Sequence, residues 1–297
     1  MPRPIKPPKP DPRKPKFKVP PKSCDTHFHI YGPEDKFPYK ASMYERYYTP
    51  TDKCTLEHYQ KLQTVTGFER GVIVTGNPNG RYNNDVTLDA IARSDGQLKG
   101  VAPIDCLIDQ KALERLAAGG IVAYRVRQPA IGSEFFYDTE RTADRVRDFG
   151  WHVEVHVRSV EESAELIDWL PKLRIPYVLD NLAVARPERG VADSPFQKVL
   201  NHLRNAENCW VNLYGFYRLS AEGDAGPHYA DVVPIANALI EARPDRVVWG
   251  SNWPHAIVDE TPDDGDLVDF IPAAIPDPYH QKLVLIDNPA KLYGWKD

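Results

Sequence analysis

The sequence holds only four cysteines, Cys24, Cys54, Cys106 and Cys209, and no two of them stand in CxxC or CxxxC spacing. A zinc knuckle is thereby excluded, and so is a disulfide framework of the kind that staples small secreted domains. A reducing, cytoplasmic compartment is the expectation. A run of about 18 apolar residues, long enough to span a bilayer, is missing, and the N-terminus lacks the apolar segment of a secretory signal. Positive charge is not in excess either: 37 Lys and Arg face 42 Asp and Glu, a formal net charge of -5. Phosphate backbones bind basic surfaces, so no nucleic-acid partner is expected, and no membrane partner. What remains is a small-molecule substrate; the oligomeric state is left open.

Proline, by contrast, is plentiful, 28 residues in 297, and it is concentrated with Lys and Arg in residues 1–21. Such a stretch neither nucleates a helix nor donates regularly to a sheet. It is expected to be an extended or disordered N-terminal arm, with residues 22–297 forming one domain. Beyond the arm, short apolar runs rich in β-branched residues alternate with helical patterns about eight times. The strand candidates are residues 24–31, 71–75, 100–104, 121–126, 151–157, 177–180, 209–213 and 246–249. Helical spacing of apolar residues marks 56–66, 85–94, 111–118, 139–149, 161–170, 195–205 and 229–242. This alternation predicts an α/β protein with a (β/α)8 TIM barrel, whose chemistry belongs in the loops after the strand ends.

The polar residues obey that rule. Asp25-Thr26-His27-Phe28-His29 closes the first strand, and side chains alternate along a strand, so His27 and His29 point to one spot. Gly250-Ser251-Asn252-Trp253-Pro254-His255 follows the last strand and offers Asn252 and His255, although such a stretch also makes an ordinary turn. Arg125 and Arg127 alternate along the end of the fourth strand, Arg186 follows the sixth and Arg218 the seventh. Guanidinium forks grip carboxylates in bidentate fashion, so together these arginines predict an anionic substrate. His156 near the end of the fifth strand and Asn181 after the sixth complete the ring.

At this point the segments DTHFHIYGP, YTP at residues 48–50, VLDN, RLS, YADVVP, RVVWGSNWPH, TPDDGDLVDFIP and DNPAKLY carry a resemblance. The chain resembles the amidohydrolase-related family (amidohydrolase 2), in particular its 2-pyrone-4,6-dicarboxylate lactonases and sugar-diacid lactone isomerases. The resemblance implies that His27 and His29 line the catalytic centre. It also implies that Tyr48, Arg125 and Arg218 bind substrate carboxylate or carbonyl groups, and that His156 stands where a substrate-contacting tyrosine is usual. Two positions depart from the lactonase pattern: Asn252 replaces the aspartate that deprotonates water, and Asp180-Asn181 replaces an Asp-His pair.

An amide has no useful basicity near neutral pH, so Asn252 cannot act as general base. Either a histidine among His27, His29, His156 and His255 takes that role, or no water is needed. In the second case a substrate hydroxyl attacks its own lactone carbonyl and the ring is isomerised. The leading expectation is a hydrolase acting on a lactone of a small di- or tricarboxylic acid, with the isomerase as alternative and a non-catalytic anion-binding barrel as a third reading. The resemblance to the lactonases implies that no metal or other cofactor is needed; the alternative is a divalent ion such as zinc held by His27, His29 and His156.

Overall fold

The computed structural model describes residues 6–40, 51–76, 78–127, 132–226 and 228–296. Eight strands pair in chain order as one parallel sheet: β1 (Cys24–Phe28), β2 (Arg70–Val74), β3 (Leu98–Ala102), β4 (Ile121–Arg127), β5 (His152–His156), β6 (Tyr177–Leu179), β7 (Cys209–Leu213) and β8 (Val247–Trp249). The ends of that order meet. Thr26 Oγ1 donates to the Trp249 carbonyl at 2.8 Å, Asn252 N to the His27 carbonyl at 2.7 Å, and His29 N to the Trp253 carbonyl at 2.7 Å. Gly250 permits this approach, because a Cβ there would lie 2.6 Å from the His27 Cβ. The result is a nearly closed α/β barrel, as the alternation predicts.

Helices follow the strands: α1 (Leu56–Thr66), α2 (Asp85–Ala92), α3 (Gln110–Ala118), α4 (Ser133–Val146), α5 (Val160–Leu166), α6 (Ser194–Asn205), α7 (Val233–Ala242), α8 (Asp264–Ala274), α9 (Pro278–Lys282) and α10 (Asn288–Tyr293). Punctuation explains several of the ends. Gly150 adopts φ 70° after the turn that extends α4, and the Asp109 carboxylate caps α3 by accepting from Lys111 N and Ala112 N. The sequence reading missed the three helices after β8. Their apolar residues are interrupted by Pro272 inside α8 and by a π turn over Leu283–Asp287, which blurs helical periodicity.

From residue 6 onward the arm has no helix or strand, and it is bound to the barrel. Lys6 Nζ donates to the Asp259 carbonyl, and Thr261 Oγ1 to that of Pro7 at 3.2 Å. Arg13 N reaches Asp263 Oδ1 at 2.9 Å, and the Arg13 guanidinium bridges Asp266 at 2.6 Å and Asp269 at 2.7 Å. The backbone amides of Lys16 and Phe17 then share Asp269 Oδ1. Residues 6–17 thus lie along α8 and the loop before it, while Phe17 and Val19 pack against the main hydrophobic core. Among the described residues, no helix is long and apolar enough to cross a membrane.

Candidate active site

The two imidazoles of the opening strand converge. Their ring centroids lie 5.2 Å apart at an interplanar angle of 88°, and His27 is fully buried and stacked on Tyr214 at 3.5 Å. His29 Nδ1 sits 2.7 Å from the Val74 carbonyl oxygen, an acceptor only, so Nδ1 carries the proton and Nε2 keeps a lone pair. Burial, followed by the charge of Arg125, lowers the His29 pKa to about 3 and holds that of His27 well below the usual range. His156 is lowered in the same way, first by burial and then by Arg125, Arg127 and Arg218. Three uncharged imidazoles therefore stand in the field of the same two arginines, Arg125 and Arg218.

Beneath them lies a buried layer of charge. Arg125 donates from Nε and Nη2 to Asp180 Oδ2 at 3.1 and 2.9 Å, and from Nη2 to the Tyr214 hydroxyl at 2.7 Å. Glu154 follows from β5, with Oε1 accepting from the Tyr293 hydroxyl at 3.0 Å and Oε2 lying 4.0 Å from His27 Nδ1. Burial pushes both carboxyls up to about 7, against the pull of Arg125. Burial opposes the Arg125 charge too, yet Tyr214, Asp180 and Glu154 raise its pKa above the ordinary arginine value. Arg125 is thus the fixed cation of the barrel interior, as well as a group at the mouth.

After β6 the chain makes a left-handed turn: Asn181, Leu182, Ala183 and Val184 have φ of 53°, 53°, 54° and 58°. The turn directs Asn181 toward the barrel axis, where Gly215, itself at φ 63°, faces both Asn181 and the amide of Asn252. Asn181 is buried and its Oδ1 has no partner. Arg218, partly buried after β7, donates from Nη2 to the Ala256 carbonyl and lies over the Tyr217 ring, while its Nε has no partner. Arg127 is exposed at the end of β4, and its charge reaches His29 and His156.

One sequence expectation needs correction. His255 does not present a free ring to a ligand: it is fully buried, with Nδ1 3.1 Å from the Tyr217 hydroxyl and Nε2 3.1 Å from Asp264 Oδ1. Arg186 is exposed in the turn before Pro187–Arg189, and among the described residues no contact at the mouth involves its side chain. Tyr48 lies outside the described residues.

The three histidines of the alternative, metal-binding reading are not the group that gathers. Among the described residues, the group that gathers three donor atoms is His27, Glu154 and Asp180, all within 4.8 Å of one another. Ligands around zinc at about 2.1 Å lie roughly 3.4 Å apart in a tetrahedron. His27 Nδ1 and Glu154 Oε2 are wider than that at 4.0 Å, and Arg125 holds Asp180 Oδ2 while Oδ1 keeps no partner. His27, Glu154 and Asp180 thus each keep an unpartnered donor atom that a divalent ion could take, provided the three drew closer together than they stand.

The sequence reading passed over Glu154, Asp180, Tyr214, Tyr217 and Asp264. A signal existed for the first: in His152-Val153-Glu154-Val155-His156 three polar side chains alternate on one face of an interior strand. For Tyr217 and Asp264 there was none, because their role comes from a contact with His255 across 38 and 9 residues.

Comparison with known proteins agrees with this architecture. A family model described as amidohydrolase matches residues 24–295. The chain is 36% identical over 286 residues to a 4-sulfomuconolactone hydrolase of Hydrogenophaga intermedia, covering 94% of this chain and 91% of the relative. It is 35% identical to a 2-pyrone-4,6-dicarboxylate hydrolase of Comamonas testosteroni, covering 95% and 93%. Identity to a D-galactarolactone isomerase of Agrobacterium fabrum is 29%, covering 91% and 90%. Among solved structures, one from Acinetobacter baumannii, described as a probable 2-pyrone-4,6-dicarboxylic acid hydrolase with citric acid bound, superposes with a TM-score of 0.77. It shares 25% identity and covers 92% of this chain and 100% of its own.

Proposed function

The chain belongs to the amidohydrolase family, and within it we propose that this barrel opens a lactone of a small di- or tricarboxylic acid by hydrolysis, without a metal. One observation carries the reading: the His27 and His29 rings meet at 5.2 Å above the buried Arg125, whose charge, with that of Arg218, keeps His27, His29 and His156 neutral. Guanidinium groups bind the substrate carboxylates, and neutral imidazoles supply acceptors for a proton. The relatives named as lactone hydrolases act on small anionic rings of this kind, and citrate in the Acinetobacter structure is a tricarboxylate.

The step balances simply. Water adds to the lactone carbonyl while His29 Nε2, its lone pair set free by the Val74 contact, accepts a proton, its low basicity raised once substrate carboxylates offset the charges of Arg125, Arg127 and Arg218. Arg125 and Arg218 bring positive charge to the tetrahedral oxyanion. The ring C–O bond breaks, the departing alkoxide takes the proton from the imidazolium, and the product is a ring-opened acid. Asn252 orients the attacking oxygen and does not remove its proton.

The amide at Asn252 also favours a second reading, in which a substrate hydroxyl attacks in place of water and the ring changes size. The isomerase relative supports it. Incubating the protein with a panel of diacid lactones in ¹⁸O-water, followed by NMR and mass spectrometry, separates the readings. A ring-opened acid carrying one ¹⁸O is the expected product. A rearranged lactone without label means isomerisation, and an unchanged panel leaves only an anion-binding barrel. A reducing, cytoplasmic location belongs to the same proposal, supported by four cysteines that all stand as free thiols.

A further inference from the structure

Behind Asn252 runs a buried hydrogen-bond chain whose direction can be read from its far end. Asp264 lies in the first turn of α8, 1% exposed, and its Oδ1 is 3.1 Å from His255 Nε2. A carboxylate only accepts, so His255 must place its proton on Nε2, which leaves Nδ1 as an acceptor. Nδ1 faces the Tyr217 hydroxyl at 3.1 Å, so the hydroxyl spends its only proton there. The Tyr217 oxygen then needs a donor from its remaining neighbour, and Asn252 Nδ2 supplies one at 2.7 Å. Every residue of the chain is 3% exposed or less, so water cannot easily replace a missing partner.

We propose that Asp264, His255 and Tyr217 form a chain of fixed polarity that locks the Asn252 amide with its nitrogen inward and its oxygen toward the mouth. The chain makes Asn252 an oriented acceptor for the O–H of the attacking nucleophile, a role that rests on the lactone reading above. It also makes asparagine, rather than aspartate, the residue this barrel requires at 252. An aspartate would set a carboxylate oxygen about 2.7 Å from a hydroxyl oxygen whose proton is already committed, unless His255 took up a second proton. Tyr217, His255 and Asp264 are positioning residues; none of them is placed to touch substrate.

Polarity, unlike mere packing, can be reversed by design. Asn252→Asp alone breaks the donor sequence. Combined with Asp264→Asn it restores both the total charge and every bond, now running the other way. The amide introduced at position 264 donates to His255 Nε2, His255 Nδ1–H donates to Tyr217, and the Tyr217 hydroxyl donates to the carboxylate introduced at position 252. The test is carried out on the full chain labelled with ¹⁵N-histidine, with the His255 signals assigned by their loss in His255→Gln. Wild type is expected to show the Nε2–H tautomer. Asn252→Asp should show either a doubly protonated His255 or a 10–100-fold larger unfolding constant, about the size of one buried unmet hydrogen bond. The double variant should recover stability to within about threefold of wild type and display the Nδ1–H tautomer.

Tyr217→Phe is a second route should Asn252→Asp not fold: it keeps the His255–Asp264 pair, and His255 should retain Nε2–H. An Nδ1–H tautomer in wild type overturns the proposal. So does an Asn252→Asp variant of unchanged stability and unchanged tautomer, or a double variant no more stable than that single one. Because these readouts need no substrate, they stand or fall separately from the lactone activity, which the ¹⁸O experiment tests.

Discussion

Arg125 and Asp180 form a bidentate-donor pair inside the barrel, with the Arg125 side chain 11% exposed and that of Asp180 fully buried. Both Nε and Nη2 approach one carboxylate oxygen, and Tyr214 takes a further bond from Nη2. The same guanidinium thereby supports the interior and charges the mouth, so its loss is expected to show twice, in stability and in binding.

Replacing Arg125 by Met strands the Asp180 carboxyl in a buried site, which costs about 3–5 kcal/mol when one partner of such a pair is removed. Adding Asp180→Leu should recover most of that stability, because two apolar side chains need no compensation, while substrate binding stays lost. Urea unfolding of the two variants, beside the Michaelis constant for a lactone that is turned over, checks both halves. Equal stability of the single and double variants would contradict the pairing argument.

His29→Gln removes the lone pair at Nε2 but retains an amide donor for the Val74 carbonyl. A general base typically contributes about 10²–10⁴ in rate, so kcat should fall by that range with KM little changed. Stopped-flow turnover is the measurement, and a fall confined to KM would assign His29 to binding alone.

Glu154 gives a pH signature with a definite sign. Its carboxyl keeps a proton up to about pH 7 in the fold but loses it near the ordinary glutamate value of 4.5 in the unfolded chain. Between those limits the folded state binds more protons, so stability falls as pH rises through the window. Glu154→Gln abolishes that fall: relative to wild type, the variant should gain on the order of 2–3 kcal/mol between about pH 4.5 and 7 and nothing further above it. Melting curves at pH 5 and pH 8 are sufficient to see it.

Much of this protein was legible in its sequence. All eight strands were placed within a few residues, because interior parallel strands read as continuous apolar runs such as Gly71-Val72-Ile73-Val74. His27, His29 and Asn252 were legible as candidates because strand alternation and strand ends are local properties of a sequence. His255 was misread for the opposite reason: a histidine six residues beyond a strand end faces either the mouth or the wall, and contacts with Tyr217 and Asp264 decide which. For Arg186 too a loop position alone does not give a direction. Glu154 was visible as a charge inside a strand, but its meaning depends on the unpartnered atoms of His27 and Asp180 opposite it.

The arm offers one more test. Asp269 accepts from Lys16 N, Phe17 N and Arg13 Nη2 at 2.7, 2.8 and 2.7 Å, and although burial opposes them, these bonds lower its pKa. A depressed carboxyl stabilises the fold above its unfolded pKa, and that contribution disappears as pH falls through the folded value. Asp269→Ala should therefore cost about 1–3 kcal/mol at neutral pH and less in acid. Limited proteolysis should then cut within residues 6–17 sooner than in wild type, whereas an unchanged cleavage rate would mean that the arm is held mainly by Phe17 and Val19.

The four successive left-handed residues from Asn181 to Val184 carry a tension that most loops avoid. Side chains with a Cβ lose roughly 1–2 kcal/mol each in that conformation, so the turn persists only because its surroundings compel it, among them the Ser163 hydroxyl that donates to the Ala183 carbonyl at 2.9 Å. Glycine at Ala183 would relieve part of the load and give a more robust barrel. The same relief would let Asn181 wander from the axis, so at this corner a gain in durability and a loss of aim arrive together.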